Sequence, residues 1–260
     1  VPIVHTNEQK WLHFDGINYR ANIWINGKQI ASDKDAIGTW RAFEYNVTQA
    51  LVNGKNVLAV EVSAPTETDL GFNWVDWSPA PPDKNMGLWR DVWLSFSGPV
   101  TVRNAQVISD LAAPALDTAK LTVSAELRNA SGKPVKGTAH AVIEGIRVSQ
   151  AVELAAGEKK LVTFAADRYP QLVLKKPRVW WPAGLGAQNL YQARVSFEER
   201  GHRSDLQAVT FGIRKITSEL NEKGYRQFKI NGRNILIRGA GWAPPGSALR
   251  MVPLKPGSTG

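Results

Sequence analysis

The stretch Phe72–Trp93 holds the residues whose types and spacing best suit a binding function. It contains four of the chain's ten tryptophans and three of its fifteen prolines. Trp74, Asp76 and Trp77 place flat apolar rings beside a carboxylate, and a sugar offers a C–H face to such rings and hydroxyl donors to such an acceptor. A structural alternative stays open, in which the tryptophans close the end of a β-sandwich and Asp76 caps a turn, because tryptophan is usually well buried.

Prolines make the middle of this stretch a loop. Pro79, Pro81 and Pro82 are incompatible with a helix interior or a central strand, so we predict a long, stiff loop that leads into a strand over Asp91–Phe96. Long loops in compact domains are usually either functional or disordered, and a high content of aromatic residues disfavours disorder.

The rest of the sequence offers no self-sufficient active site. The turn Gly239–Gly241 follows a predicted strand, but Pro244 stands where a dinucleotide-binding helix would begin. The four histidines lie far apart and the chain has no cysteine, so we predict no metal site, no thiol catalysis and no cofactor. Asp15 and Asp76 are candidates for a carboxylate pair, which the sequence alone cannot place.

The charge balance is basic, but no nucleic-acid-binding module accompanies it. Thirty-two Lys and Arg against 23 Asp and Glu give a net charge of +9 and a pI of about 9.8. The densest basic groups are Lys159-Lys160 and Lys175-Lys176, and neither lies in a basic helix. We therefore interpret the charge as solvated surface and predict no nucleic-acid partner.

Length and hydropathy indicate a globular chain of one or two domains. No long uncharged apolar run suggests a transmembrane helix, and Val1–Thr6 lacks the basic and apolar regions of a leader peptide. We therefore expect no membrane partner. The lack of cysteine does not fix the compartment, so a periplasmic or secreted location in a bacterium stays open.

The dominant hydrophobic period is two, which indicates β-strands. Tyr19–Ile25 alternates apolar and polar side chains, and Asn26-Gly27 is a strong hairpin signal directly after it. Val57–Val62 alternates in the same way. We predict an antiparallel sandwich or jelly roll that extends to about Pro99.

A second block of short strands begins near Val100 and predicts an immunoglobulin-like sandwich without a disulfide. Val179–Pro182 interrupts this pattern, and we expect it to pack at a domain seam rather than bind a ligand, because no polar group converges beside it. The predicted strands are Leu121–Leu127, Val135–Ile143, Val148–Leu154, Leu161–Phe164, Tyr191–Phe197 and Ser204–Phe211.

The C-terminal segment predicts one further hairpin, with strands Tyr225–Ile230 and Arg233–Arg238 on either side of Asn231-Gly232. Fewer than fifty residues follow position 213, which is too few for an independent domain. We therefore expect this segment to be the opening of something larger.

Several of these stretches, taken together, resemble glycoside hydrolase family 2. Trp11–Lys28, with FDGINY and WINGK, resembles the sugar-binding-domain signature of the family, and two segments, Gly38–Val47 and Asn56–Val62, resemble those that follow it. Phe211–Lys215 resembles the entry to the catalytic barrel, and Phe228–Gly241 resembles the barrel's first hairpin. Within the family, Asp76–Val92 is most similar to the exo-β-D-glucosaminidases.

The resemblance implies an all-β chain that reaches the start of a barrel. Residues 1–99 would be a jelly-roll, galactose-binding-like sandwich without its N-terminal strands, and residues 100–213 an immunoglobulin-like β-sandwich. Residues 214–244 would begin the catalytic (β/α)8 barrel, and residues 245–260 would be an atypical tail. Exposed strand edges of a truncated first sandwich would favour a homodimer.

The resemblance also implies a function. The parent enzyme would remove β-linked glucosamine from chitosan-type oligosaccharides by retaining hydrolysis, with a carbohydrate substrate and no cofactor. The family's two catalytic carboxylates lie on barrel strands, so we assign no catalytic residue and expect the chain alone to be inactive. By analogy, Asp76 would accept a hydrogen bond from a hydroxyl or ammonium group and Trp77 would stack, at the non-reducing-end subsite.

Other functions remain alternatives. A basic surface and a cationic substrate repel each other, which keeps a β-mannoside or a β-galactoside as possible substrates. A stand-alone carbohydrate-binding module would bind sugar through the tryptophan-rich loop unaided. A purely structural interaction module would bind no sugar and would bury its tryptophans.

Overall fold

Residues 8–72 and 80–239 are described by the computed structural model of the chain. They form nineteen β-strands and one short 3-10 turn, and no α-helix occurs among them. Within these two ranges, no helix has the length and hydropathy needed to cross a membrane. The prediction of an all-β fold is confirmed.

The chain divides into two compact units, and Gln9–Phe96 forms the first unit. In Arg20–Ile25, buried and half-buried side chains alternate, because every second residue of a strand faces the core. Asn26 and Gly27 follow with φ angles of 51° and 79°, which confirms the predicted hairpin. The strands are β1 (Gln9–Phe14), β2 (Ile17–Asn18), β3 (Arg20–Ile25), β4 (Lys28–Ile37), β5 (Phe43–Asn46), β6 (Leu58–Ser63), β7 (Gly87–Leu88) and β8 (Val92–Ser97).

Two three-stranded sheets enclose the core of the first unit. One sheet has the order β5-β1-β8 and the other has the order β4-β3-β6, while β2 pairs with β7. The central strands supply Leu12, Phe14, Ile23 and Ile25 to the core, and all four side chains are buried. Each such side chain contributes roughly 1.5–3 kcal/mol, so the two central strands provide much of the stability of this sandwich.

Ser97–Gly239 forms the second unit. Most of its predicted strands are confirmed, and Val135–Ile143 has the predicted bounds. The strands are β9 (Val100–Leu111), β10 (Thr118–Asn129), β11 (Val135–Ile143), β12 (Ile146–Leu154), β13 (Lys159–Ala165), β14 (Val173–Lys175), β15 (Tyr191–Glu199), β16 (His202–Phe211), β17 (Ile216–Leu220), β18 (Arg226–Ile230) and β19 (Arg233–Ile235).

Two four-stranded antiparallel sheets form the core of the second unit. In one sheet, β10 pairs with β9 on one side and with β13 and β14 on the other. The second sheet has the order β12-β11-β15-β16. Leu121, Val123, Phe164 and Phe197 are fully buried between the sheets. Two antiparallel sheets around one apolar core are the arrangement predicted for an immunoglobulin-like sandwich.

The motif Val179–Pro182 packs within the second unit. The guanidinium of Arg214 lies 4.7 Å from the centre of the Trp180 ring. The Trp180 carbonyl accepts a hydrogen bond of 3.0 Å from the side-chain amide of Asn231. These contacts are packing contacts within one unit, and the location of the motif at a domain seam stays a prediction.

The predicted C-terminal hairpin is also confirmed, although its second strand ends at Ile235 and not at Arg238 as predicted. β18 and β19 pair in antiparallel fashion, and Asn231 and Gly232 connect them with φ angles of 51° and 82°. β17, which the sequence pattern did not indicate, pairs with β18 as a third strand. The domain boundaries at residues 99, 213 and 244 stay predictions.

Gly137 of β11 leaves the space that the Phe197 ring of β15 occupies. A Cβ atom at position 137 would lie 2.5 Å from that ring and against the carbonyl of Glu198. We expect Gly137→Ala to lower the free energy of unfolding of the second unit by about 1–3 kcal/mol, the usual cost of overpacking. Gly132→Ala is the matched control, because a Cβ atom there meets nothing within 4 Å. Urea denaturation followed by circular dichroism measures both variants, and equal midpoints would contradict this packing argument.

Candidate functional site

Asp76 and Trp77, the two predicted binding residues, lie outside the described residues, as does the whole segment 73–79. The described part of the candidate site therefore consists of the residues on either side of this segment. One side ends at Phe72 and the other begins at Ala80. Both sides belong to the first unit.

Three aromatic rings form a cluster next to the segment. The rings of Trp40, Phe72 and Trp89 have their centroids 5.2 Å apart in each of the three pairs, with interplanar angles of 78° to 89°. Each such edge-to-face pair contributes about 0.5–1.5 kcal/mol in addition to the energy gained by burying apolar area. Trp40 is nevertheless 64% exposed, so the cluster presents an aromatic surface to solvent.

Backbone contacts hold Trp89 in this cluster. Its indole Nε1 donates a hydrogen bond of 3.0 Å to the carbonyl of Thr39. Its backbone N–H donates to the carbonyl of Gly16 at 3.2 Å. A Cβ atom at position 16 would lie 2.6 Å from the indole Nε1, so the ring packs against Gly16 only because that residue has no side chain.

The side chain of Asn18 fixes the loop that follows segment 73–79. Its amide nitrogen donates to the carbonyls of Lys84 and Asn85 at 3.0 Å and 2.8 Å. Its amide oxygen accepts a hydrogen bond of 2.7 Å from the hydroxyl of Thr39. Asn18 is fully buried, so these three hydrogen bonds replace the water that the amide loses on folding.

The same loop carries a side-chain donor that has no acceptor in the described part of the chain. The side-chain nitrogen of Asn85 is buried and has no hydrogen-bond partner among the described residues. Leaving such a group without an acceptor costs about 1–3 kcal/mol. Asn85 is therefore a candidate donor to a ligand hydroxyl.

Asp69 fixes the chain that precedes segment 73–79. Its carboxylate accepts two hydrogen bonds of 2.6 Å from the guanidinium of Arg20 on β3. It also accepts hydrogen bonds of 2.7 Å from the backbone N–H and the hydroxyl of Thr66. The hydrogen bonds from Arg20, followed by those from Thr66, hold the pKa of Asp69 well below its usual range.

The described partner of Asp15 is an indole ring and not a second carboxylate. Its carboxylate accepts a hydrogen bond of 3.0 Å from the indole Nε1 of Trp93. Asp76, the other half of the suggested carboxylate pair, lies outside the described residues. Asp15 also lines an open cleft of about 370 Å³ together with Trp89 and Arg90. A cleft with aromatic, acidic and basic walls suits a ligand rich in hydroxyl groups.

Among the described residues, no three His, Asp or Glu side chains lie close enough together to hold a metal ion. His13 stacks on the ring of Trp93 at 3.7 Å and shares a hydrogen bond of 2.7 Å with the hydroxyl of Ser95. Its nitrogen Nδ1 also lies 3.6 Å from a carboxylate oxygen of Glu44.

Sequence reasoning missed the residues that hold the site together. Asn18, Thr39 and Trp40 were not singled out, although they provide the hydrogen bonds and one ring of the cluster described above. Asn18 does lie within the FDGINY stretch, so a closer look at the polar residue of that motif could have found it. Thr39 and Trp40 lie within Gly38–Val47, which also resembles a segment of the family's first domain, but neither residue was picked out from it.

Comparisons with known proteins support the resemblance noted in the sequence. Residues 100–214 match the model of glycosyl hydrolases family 2, and residues 2–71 match the model of the glycosyl hydrolase 2 galactose-binding domain-like region. The second match confirms the galactose-binding-like class predicted for the start of the chain. The two matched segments cover most of the chain.

Relatives of known activity match almost the entire chain. An exo-beta-D-glucosaminidase of Streptomyces avermitilis is 40% identical over 93% of this chain and 27% of its own length. The crystal structure of the Amycolatopsis orientalis exo-chitosanase matches with a TM-score of 0.83 and 36% identity, over 94% of this chain and 28% of the other. A mannosylglycoprotein endo-beta-mannosidase of Lilium longiflorum is 29% identical over 94% of this chain and 28% of its own length. The chain thus spans little more than a quarter of the length of these relatives.

The ion pair between Asp69 and Arg20 should make the stability of the fold depend on pH in the acidic range. Because its pKa is lowered in the folded state, Asp69 stabilises the fold fully above its unfolded pKa of about 3.9, and this stabilisation is lost as the pH falls below that value. We expect Asp69→Asn to lower the urea midpoint at neutral pH. The urea midpoint of this variant should also fall less steeply than that of the parent chain as the pH drops below about 4.

The matched control is Glu67→Gln, which removes an exposed carboxylate two residues away. Urea midpoints at a series of pH values compare the two variants with the parent chain. A pH profile of Asp69→Asn that matches the parent profile would show that the ion pair does not stabilise the fold.

Proposed function

Because the chain belongs to glycoside hydrolase family 2, we propose that it is the non-catalytic N-terminal portion of a retaining exo-β-D-glucosaminidase. The enzyme would release glucosamine from chitosan-type oligosaccharides. The observation that carries this choice of sugar is the contrast in identity, 40% to an exo-beta-D-glucosaminidase against 29% to an endo-beta-mannosidase over the same share of the chain.

We assign the substrate contact to Asp76 and Trp77. Asp76 would accept a hydrogen bond from a hydroxyl or ammonium group of the terminal sugar, and Trp77 would stack on its C–H face. The support comes from the flanks of segment 73–79. Asn18 and Asp69 fix these flanks through hydrogen bonds, and a site on fixed supports loses less entropy on binding.

The distribution of charge supports a cationic substrate. Residues 9–96 contain eight Lys and Arg against ten Asp and Glu, whereas residues 97–239 contain 22 against 12. The basic character of the chain therefore belongs to the second unit. The first unit is slightly acidic, so the repulsion expected between a basic surface and a glucosamine ammonium group does not apply to the unit that carries Asp76.

Hydrolysis itself is assigned to a part of the enzyme that this chain does not include. In the retaining mechanism, one carboxylate attacks the anomeric carbon and the second protonates the leaving oxygen. Both would lie at the ends of barrel strands. On one face of the three-stranded sheet of β17, β18 and β19, Ile216 and Leu220 are exposed by 60% or more, and such apolar side chains suit packing against a further domain.

The substrate contact can be tested in the polypeptide encoded by the complete reading frame. We expect Asp76→Asn and Trp77→Ala each to lower kcat/KM for an aryl β-D-glucosaminide by roughly 10- to 100-fold. A charge-assisted hydrogen bond is worth about 1.5–3 kcal/mol, and burial of a large apolar ring contributes about as much. Asp117→Asn, an exposed carboxylate in the second unit, is the control and should leave kcat/KM unchanged. Unchanged kinetics in both loop variants would remove these residues from the site.

The assignment of the chain as non-catalytic has a separate test. The purified 260-residue chain should not hydrolyse aryl β-glucosaminides, β-mannosides or β-galactosides. Turnover by the pure chain would overturn the assignment, and a preference of the complete enzyme for mannoside or galactoside would overturn the choice of sugar. Tight binding of chito-oligosaccharides by the chain alone, followed through tryptophan fluorescence, would favour a stand-alone carbohydrate-binding module.

A further inference from the structure

The chain contains three Asn-Gly pairs, which are Asn26-Gly27, Asn53-Gly54 and Asn231-Gly232. Such pairs favour tight turns, but they are also chemically labile. The backbone nitrogen of the glycine can attack the side-chain carbonyl of the asparagine, because glycine has no side chain in the way. The three pairs share this local chemistry, so a difference in their reactivity within the folded chain must come from the fold.

The side chain of Asn26 is fixed by three hydrogen bonds. Its amide nitrogen donates to the carbonyl of Ala50 at 3.0 Å and to the side-chain oxygen of Asn56 at 2.9 Å. Its amide oxygen accepts a hydrogen bond of 2.9 Å from the backbone N–H of Val57. The side chain must break these bonds before its carbonyl can turn towards the nitrogen of Gly27.

The side chain of Asn231 is fixed in a similar way. It is buried, with an exposed fraction of only 2%. Its amide nitrogen donates to the carbonyl of Trp180 at 3.0 Å, and its amide oxygen accepts a hydrogen bond of 2.9 Å from the backbone N–H of Lys215. The attack by the nitrogen of Gly232 is therefore also opposed by existing hydrogen bonds.

Asn53 differs from both. Its side chain is exposed, and within residues 8–72 and 80–239 it makes no hydrogen bond. A Cβ atom built on Gly54 would meet nothing within 4 Å, so the surroundings of the pair are open. The side-chain carbonyl of Asn53 is free to approach the backbone nitrogen of Gly54 to the roughly 3–3.5 Å that a reacting pair of atoms requires.

We propose that Asn53 is a site of spontaneous deamidation. The backbone nitrogen of Gly54 forms a bond to Cγ of Asn53, while the bond from Cγ to the side-chain nitrogen breaks. The proton of the backbone N–H passes through solvent to the departing nitrogen, which leaves as ammonia. Water then opens the cyclic imide at either of its carbonyls, which gives aspartate or isoaspartate. The reaction consumes only water and does not depend on the activity proposed above.

The modification would change the loop in charge and in length. Either product adds a negative charge to a chain whose net charge is +9. Isoaspartate also places an additional carbon atom in the backbone between Val52 and Gly54. The carbonyls of these two residues accept hydrogen bonds of 2.9 Å and 3.0 Å from the side-chain nitrogen of Asn56. We therefore expect isoaspartate to disturb these contacts, whereas aspartate leaves the length of the backbone unchanged.

Peptide mapping by mass spectrometry tests the proposal on the purified 260-residue chain, incubated in warm, mildly alkaline buffer. We expect deamidation at Asn53 to be at least tenfold faster than at Asn26 or Asn231, where hydrogen bonds of the side chain must first break. In the chain unfolded in guanidinium chloride, these bonds are absent. The three rates should then converge to within about threefold.

Two variants serve as controls. Asn53→Ser should remove the acidic form that ion-exchange chromatography separates, and it should leave the circular dichroism spectrum unchanged. Asn53→Asp supplies the charge without isoaspartate, so its urea midpoint should lie above that of the isoaspartate form purified from the incubated chain. Equal midpoints would contradict the expected disturbance of the Asn56 contacts.

The rates decide the proposal itself. An Asn53 that stays intact in the folded chain would overturn it, as would equal rates at the three pairs in the folded chain. A difference in rate that persists in guanidinium chloride would show that the fold does not select Asn53.

Discussion

The buried amide of Asn18 is the interaction on which the rest of the candidate site depends. It joins three pieces of chain that are distant in sequence, namely β2, the turn at Thr39 and the loop at Lys84 and Asn85. The side chain is fully buried, so loss of the amide would leave the Thr39 hydroxyl and two partly buried carbonyls without this partner, and a buried group left unsatisfied costs about 1–3 kcal/mol. Thr39 in turn accepts the indole hydrogen of Trp89. The position of Trp89 in the aromatic cluster therefore depends in part on this one polar side chain.

Local patterns predicted the strands well and the contacts of the site poorly. β11 has the predicted bounds because alternation of buried residues is visible within nine consecutive positions. β9, one of the two longest described strands, was missed because Asn104 has a positive φ of 55° and the register with β10 shifts there. Such a bulge shifts the alternation by one residue, so that even-numbered residues face the core before it and odd-numbered residues face the core after it. The partners of Asn18 lie 66 and 67 residues away, and no local pattern contains information about contacts at that distance.

The family signature in this chain has a structural rather than a chemical meaning. Phe14 fills the core, Asp15 accepts the indole hydrogen of Trp93, and Gly16 makes room for Trp89. Asn18 fixes the loop beyond segment 73–79, and Arg20 binds the carboxylate before it. Five positions within seven residues thus each have one packing or hydrogen-bonding role. Residues 14–20 therefore carry the family resemblance through packing and hydrogen bonding, although no catalytic group is assigned to them.

The contact between Gly16 and Trp89 has a consequence for how this domain can evolve. Any side chain at position 16 would collide with the indole ring, and a smaller residue at position 89 would leave a gap beside the glycine. A change at either position alone therefore carries a packing cost. We expect the two positions, which lie more than seventy residues apart in the sequence, to change together during evolution rather than one at a time.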